Sequence, residues 1–400
     1  VSEDAALDRR LDPALHGRLL TVPDTLQALG SLARAVRRKS GVMVVAVTGS
    51  AGKTSTKDLV AALAARARRV VATTANQNNE VGVPLTLLSV DRQTELVVVE
   101  MGMRGSGQIA ALASVAEPDV GVITNVYPVH LELLGSLEAI AEAKAELLAA
   151  LGEACVGVVP VGAEILEPYR RNAVCRVVSF GFGSGDEAAD VWGCLEEGTG
   201  GGGPRLRVRW PEAEAEVDVP FVSRHRLENT MAAVAACYGA GLPVEECLRG
   251  LSDVVFTGGR GELVEAGEWL LVNDTYNANP AAVQAALDDL VDAAAARGRR
   301  PVAVLGDMLE LGTEEERFHY ECGVYAAEAG VRVLWAVGRL SCATAAGFAD
   351  AAGEGQTVGH VESVHDVTEV RAGLRSGDMI LFKASRSVGL EAMVSALERM

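Results

Sequence analysis

The chain has 400 residues, 49% of them apolar, and its 36 Lys and Arg against 54 Asp and Glu give a formal charge of −18. That acidic balance argues against a nucleic-acid-binding surface, and the length suits two or three globular domains rather than one. No apolar run approaches the roughly 20 residues of a membrane span, and the first residues, with Glu3, Asp4 and Asp8, lack the form of a signal peptide, so a cytoplasmic protein is expected. The seven cysteines are odd in number and nowhere spaced C-x-x-C, which points to buried thiols rather than a disulfide framework or a zinc site.

In chain order, residues 24–37 carry Leu26, Leu29, Leu32 and Val36 at helical spacing behind an Asp24 or Thr25 cap, which predicts an opening helix. From Gly41 to about Phe256, apolar runs at 42–47, 95–99, 120–123 and 156–161 alternate with helical patterns at 53–66, 107–115 and 136–151. This alternation is the signature of a parallel sheet covered by helices. Between about 174 and 222 the pattern turns to short β-like runs around Gly200 to Gly203, which read as a loop in a small added sheet. After the Gly258-Gly259 break, strands are predicted near 269–273, 301–305, 331–337 and 378–383, with helices beginning near 280, 314, 341, 363 and 389. That is a second, doubly wound α/β domain.

The stretch Val47-Thr-Gly-Ser-Ala-Gly-Lys-Thr-Ser-Thr-Lys57 joins the first of these strands to its helix. A glycine-rich turn ending in Lys53-Thr54 can hold a nucleotide triphosphate. Backbone N–H groups and the helix N-terminus face the phosphates, Lys53 neutralises their charge, and the Thr54 hydroxyl reaches Mg²⁺. A helix-capping turn is the plainer alternative, but strand, turn and helix all fall where phosphate binding requires them. The spelling departs from G-x-x-x-x-G-K-[ST], because Val47 stands where the first glycine belongs and Gly49 follows two residues later. Glu100 closes the apolar run that starts at Glu95, which places it at the carboxyl edge of a buried strand. There a carboxylate can hold Mg²⁺ directly or through water. His130 follows another buried strand and reads as a satisfied core histidine, while Lys144 lies on an amphipathic helix, where a lysine is ordinarily a solvated charge. Composition and spacing lift neither residue above those readings.

Taken together these residues resemble the ATP-dependent Mur ligases of bacterial cell-wall synthesis, whose phosphate loop is spelled T-G-x-x-G-K-T, as it is here from Thr48 to Thr54. The resemblance covers about residues 24–400. In the first domain it includes Asn76-Gln-Asn-Asn-Glu-Val-Gly-Val-Pro84, Glu100-Met-Gly-Met103, Ile123-Thr-Asn125, His130-Leu-Glu-Leu-Leu-Gly-Ser136 and Ala143-Lys-Ala-Glu146. In the second it includes Asn273-Asp-Thr-Tyr-Asn-Ala-Asn-Pro280, Gly306-Asp-Met-Leu-Glu-Leu-Gly312 and Phe382-Lys-Ala-Ser-Arg386. The Tyr-Asn-Ala-Asn-Pro form is similar to the branch of the family that adds a dipeptide. Branches adding single amino acids, and the related folate and cyanophycin ligases, spell this segment differently.

The resemblance implies an α/β fold with a central P-loop-type parallel-sheet ATPase domain at 41–257 and a C-terminal Rossmann-like doubly wound ligase domain at 258–400. Residues 1–40 would be a remnant of an N-terminal UDP-binding domain plus the opening helix, with Leu19 to Val22 as that domain's last strand. Loss of the uridine anchor would weaken substrate binding and leave the ATP site intact. The implied activity is ATP-dependent amide formation between UDP-N-acetylmuramoyl-tripeptide and D-Ala-D-Ala through an acyl phosphate, in peptidoglycan precursor synthesis, by a monomer.

By the same resemblance, Gly49, Ser50, Ala51, Gly52, Lys53, Thr54 and Ser55 bind ATP, Thr54 and Glu100 take one Mg²⁺, and His130 helps hold a second. Lys144, 14 residues after His130, matches the lysine that the family carbamylates with CO₂, which turns a cation into a metal-ligating carboxylate. Asn229 matches the adenine-side asparagine, with Arg226 standing where asparagine usually follows His225. Arg260 would reach the γ-phosphate, and Asp274 and Asn277 the ribose side. Asn78 and Asn79 would serve the substrate, and Lys383, Ser385 and Arg386 the carboxylate of the incoming amine. Ala75, Tyr127 and Ala384 replace glycines that are usual in the family. Two other readings stand beside this one, a related Mur-type amide ligase with another carboxylate and amine pair, and a catalytically silent nucleotide-binding scaffold. Intact Lys53, Glu100, His130 and Lys144 argue against the scaffold.

Overall fold

The computed structural model describes residues 20–128, 134–196, 205–219, 221 and 223–399. The opening helix, Thr25–Ser40, starts at Asp24, whose carboxylate accepts hydrogen bonds from the N–H groups of Leu26 and Gln27. It packs through Gly30 and Ala33, and the expected apolar stripe is only partly used, since Leu26 and Leu32 are exposed. Residues 20–22, expected to close a strand, lie in none.

The first sheet has nine strands, in the order β2-β3-β1-β4-β5-β6-β7-β8-β9. These are β1 (Met43–Thr48), β2 (Val70–Ala72), β3 (Leu96–Glu100), β4 (Val120–Ile123), β5 (Val156–Pro160), β6 (Arg176–Phe182), β7 (Val191–Glu196), β8 (Arg205–Trp210) and β9 (Ala213–Asp218). Strands β1 to β7 run parallel, and β8 and β9 are added antiparallel. Valine-rich β1, β3 and β4 are buried on both faces, as parallel strands between helical layers must be. Alternation sends Val45 and Val47 into a core with Leu59, Leu63, Leu227 and Met231, under the helices Lys53–Ala64 and Arg224–Gly239. It sends Val44 and Ala46 into a core with Ile109, Leu112, Ile140 and Leu147, under Gln108–Ala116 and Leu137–Ala149.

The small added sheet expected after residue 174 is not separate. Phe180 of β6 pairs with Val191 of β7, so β7 to β9 prolong the main sheet. The open edge of β6 offers unpaired backbone groups, and the next strand satisfies them. Gly200 to Gly203 lie outside the described residues.

The second sheet has six strands, in the order β10-β11-β15-β12-β13-β14. They are β10 (Glu262–Ala266), β11 (Trp269–Asn273), β12 (Arg300–Gly306), β13 (Val333–Val337), β14 (Thr357–Val361) and β15 (Asp378–Lys383). All are parallel except β10, which pairs antiparallel with β11. The helices Pro280–Ala296 and Glu315–Ala329 cover one face, and Val367–Ala372 and Glu391–Glu398 the other. Edge strands β10 and β14 are additional to the expected set. Between the sheets, the N–H of Thr257 donates to Asp58 Oδ2 at 2.8 Å, which fastens the connecting segment to the helix after the phosphate loop. Among the described residues no helix is long and apolar enough to cross a membrane.

Candidate active site

Carboxyl ends of both sheets line one cleft of about 1820 Å³. A pocket for a single small ligand holds roughly 300–1,000 Å³, so this one has room for a nucleotide and a second large substrate. Ser50 to Ser55 form part of its wall, and the helix Lys53–Ala64 begins directly from that turn with its N-terminal N–H groups open. Lys53 folds back over the turn, its Nζ donating to the carbonyls of Gly49 at 2.8 Å and Ser50 at 3.4 Å. Burial pushes the Lys53 ammonium pKa down; Glu100 opposes that shift, and the charge of Arg260 adds to it.

The turn is braced from the end of β4. Thr124 Oγ1 donates to the Ala51 carbonyl at 2.6 Å, and the Asn125 side chain both accepts from the Ala51 N–H at 2.8 Å and donates to its carbonyl at 3.1 Å. Ser50 Oγ donates to the Tyr127 carbonyl at 2.9 Å and accepts from its N–H at 2.8 Å. Sequence reasoning noticed Ile123-Thr-Asn125 only as a resemblance and gave Thr124 and Asn125 no role. The available signal was two polar residues just past a buried strand, at the sheet edge that carries the phosphate loop.

Glu100 is 1% exposed and has both oxygens engaged, one by Thr54 Oγ1 at 2.5 Å and the other by Asn78 Nδ2 at 2.8 Å. A hydroxyl and a carboxylate side by side are hard oxygen donors, and they fit a Mg²⁺ ion. Asn79 also lines the cleft, but its Oδ1 accepts from the N–H groups of Val81 and Gly82 and so caps the helix Gly82–Leu88. Lys144, read from its helix pattern as a solvated charge, is instead 2% exposed. Burial first, and then the charge of Lys53, hold its amine pKa well below the ordinary lysine value. His130 lies outside the described residues.

Helix Arg224–Gly239 is capped by Ser223 and brings Asn229 to the loop. Gly52 has φ 75°, and a Cβ there would stand 2.3 Å from Asn229 Oδ1, so glycine permits this approach. From the second sheet, Arg260, Asp274, Asn277 and Lys383 line the same cleft. The Arg260 guanidinium lies 3.9 Å over the Tyr276 ring, and its buried Nε has no hydrogen-bond partner among the described residues. Lys383 Nζ donates to Asp274 Oδ2 at 2.5 Å and to the Asn277 carbonyl at 3.0 Å, which joins a substrate candidate to both ribose-side candidates. Ser385 and Arg386 are not among the lining residues. Ser385 Oγ accepts from the N–H of Leu309 at 2.9 Å, and Arg386 pairs with Glu391 at 3.2 Å.

Residues 47–237 match the family model described as the Mur ligase middle domain, and residues 259–386 match the Mur ligase, glutamate ligase domain. The chain is 38% identical over 391 residues to a UDP-N-acetylmuramoyl-tripeptide–D-alanyl-D-alanine ligase of Bacillus subtilis, across 96% of this chain and 82% of that one. A ligase of the same name from Escherichia coli is 31% identical over 380 residues, across 95% and 82% of the two chains. Among solved structures, a MurF ligase from Thermotoga maritima in complex with ADP matches with a TM-score of 0.80 and 27% identity, across 96% of this chain and 85% of that one. With both family models matched in order, one on each side of the cleft, the chain belongs to the Mur ligase family.

Proposed function

We propose that this chain is an ATP-dependent ligase that joins D-Ala-D-Ala to UDP-N-acetylmuramoyl-tripeptide in peptidoglycan precursor synthesis, acting as a cytoplasmic monomer. The observation that carries this reading is the convergence of Lys53, Thr54 and Glu100 from one sheet and Arg260, Asp274, Asn277 and Lys383 from the other on a single cleft. The names of the Bacillus and Escherichia relatives and the Tyr276-Asn-Ala-Asn-Pro280 spelling support the dipeptide as the amine. Residues 41–257 then supply the phosphate loop for ATP, and residues 258–400 supply the dipeptide pocket together with Arg260, Asp274 and Asn277 for the nucleotide.

In the first step the tripeptide carboxylate attacks the γ-phosphorus of ATP, the bond to the ADP oxygen breaks, and an acyl phosphate forms. In the second the dipeptide nitrogen attacks the acyl carbon, phosphate leaves with the C–O electron pair, and the nitrogen loses a proton to become an amide. Neither step needs a side-chain nucleophile, so placement and charge neutralisation carry the catalysis. Lys53 neutralises the phosphates from inside the loop and Arg260 from across the cleft. Asn229 and the turn from Gly49 to Ser55 orient the nucleotide, with Asp274 and Asn277 on its ribose side. Asn78 and Asn79 shape the substrate wall beside Glu100, and Lys383 faces the carboxylate of the incoming amine, with Ser385 and Arg386 behind it.

Thr54 and Glu100 would hold one Mg²⁺, and His130 with a carbamylated Lys144 a second. Bound there, the ions supply Lewis-acid neutralisation of phosphate oxygens. Lys144 suits carbamylation because burial favours its neutral amine, the form that adds CO₂. The test is phosphate release with Mg²⁺, bicarbonate, ATP, UDP-N-acetylmuramoyl-tripeptide and D-Ala-D-Ala, each omitted in turn. Release that requires both peptide substrates is expected, and equal release without the dipeptide would sink the reading.

A further inference from the structure

One face of the helix Arg224–Gly239 touches both walls of the cleft. Asn229 stands against Gly52 of the phosphate loop, and Arg226, three residues earlier and therefore on the same face, crosses to the segment that begins the second sheet. Arg226 Nη2 donates to the carbonyls of Arg260 at 3.1 Å and Gly261 at 2.9 Å. Its guanidinium is seated 4.5 Å over the Phe256 ring and 5.8 Å over Phe221, and these two rings meet edge to face at 5.7 Å. Gly261 belongs to the seat, since at its φ of 66° a Cβ would stand 2.5 Å from Arg226 Nη2.

Upstream, Thr257 is held by Asp58, so segment 257–261 is pinned at both ends with Arg260 between the pins. The Arg260 side chain has little of its own to fix it. It stacks on Tyr276, and its buried Nε has no hydrogen-bond partner among the described residues. Its direction therefore follows from where its backbone is held.

We infer that Arg226 is a positioning residue, which fixes the backbone of Arg260 so that the Arg260 guanidinium meets the γ-phosphate of a nucleotide held in the loop that Asn229 touches. The inference rests on the reading of Arg260 as the γ-phosphate cation. Both bonds leave one nitrogen, Nη2, while the guanidinium plane lies over Phe256; a lysine ammonium has donors enough for two carbonyls but no plane to stack on the ring. Arg226 also lines the cleft, but both of its hydrogen bonds go to the chain, and it is through them that it serves the reaction.

Calorimetric binding of ADP and of the non-hydrolysable analogue AMP-PNP to the full chain tests this, using wild type, R226A, R226K, R260A and the R226A/R260A double variant. Wild type is expected to favour AMP-PNP over ADP, and R260A to lose that preference. R226A should lower the preference roughly tenfold while leaving ADP affinity within about twofold, and the double variant should be no worse than R260A. R226K, which keeps the charge without the plane that stacks on Phe256, should fall between wild type and R226A, and it decides the question if R226A does not melt cooperatively. No preference in the wild type overturns the reading of Arg260 and the inference with it. A preference that survives in R226A, an equal loss for both nucleotides, or losses that multiply in the double variant overturn the role of Arg226 alone.

Discussion

On the phosphate-loop wall of the cleft, the backbone of Ala51 is bonded to Thr124 and to both ends of the Asn125 amide, and Glu100 has a donor on each oxygen. On the opposite wall Arg260 rests on Tyr276 with a buried Nε that has no hydrogen-bond partner among the described residues, and Lys383 is bonded to Asp274 and Asn277. The first wall is held by hydrogen bonds within the protein, which is what electrostatic preorganisation requires. The second leaves the buried Arg260 Nε without a hydrogen-bond partner among the described residues, and an unmade buried bond of that kind costs about 1–3 kcal/mol. Nucleotide affinity should therefore come mainly from the loop, and discrimination in favour of a triphosphate from the far side.

Loss of the loop's charge should cost the phosphate-loop wall the most. K53A should lower the turnover number for phosphate release by at least about 10²-fold while the thermal melt stays in place, because one preorganised cation at the developing charge is lost. N125A attacks the brace instead. It deletes two hydrogen bonds to Ala51, each worth about 1 kcal/mol, so ADP affinity measured by calorimetry should fall roughly tenfold. An N125A chain that binds ADP like wild type would show that the loop holds its shape unaided.

Asp289 sharpens the picture at the outer rim of the far wall. It accepts from the Ser223 hydroxyl, faces His225, Arg226 and Asp274, and burial pushes its carboxyl up to about 6. A carboxyl whose pKa is raised by folding favours the fold when protonated, so this contribution is lost as pH climbs from 3.8 towards about 6. Urea unfolding should show D289N gaining on wild type by about 2 kcal/mol between about pH 4 and about pH 7, and an unchanged difference would show that Asp289 does not titrate this way. The smallest effect is expected at Ala75, which takes a φ of 50° just before the Asn76 to Asn79 segment. A75G relieves a left-handed strain of about 1 kcal/mol at some cost in unfolded-chain entropy, for a net gain near 0.5 kcal/mol in urea unfolding.

Local chemistry made much of this legible. A valine run, a glycine turn and a Lys-Thr pair announce a strand, a loop and a helix start, and the strand-ending Glu100 sits at the sheet edge that its position predicts. Lys144 was harder, because Ala141 to Ala145 alternates charge with alanine like any solvated helix face, and only packing of its neighbours reveals a 2% exposed lysine. The placement of β7 beside β6 was also hidden, since pairing is decided by which edge lies open and not by the strand's own pattern. Glu262 to Ala266 passed unnoticed as a strand because four of its five residues are at least partly exposed. Arg226 looked like a mere departure from family spelling. Its partners are two backbone carbonyls on a segment 34 and 35 residues away, which no local pattern records.

The paired donors on Glu100 carry a practical consequence. Thr54 and Asn78 each donate to the buried carboxylate from within the protein, so Glu100 does not depend on an ion for its hydrogen-bond partners. Proteins whose ligand groups are gathered only by their metal fall apart under chelation. If Thr54 and Glu100 hold magnesium as proposed, this one should pass through EDTA with its melting curve unmoved and regain turnover when magnesium salt is restored.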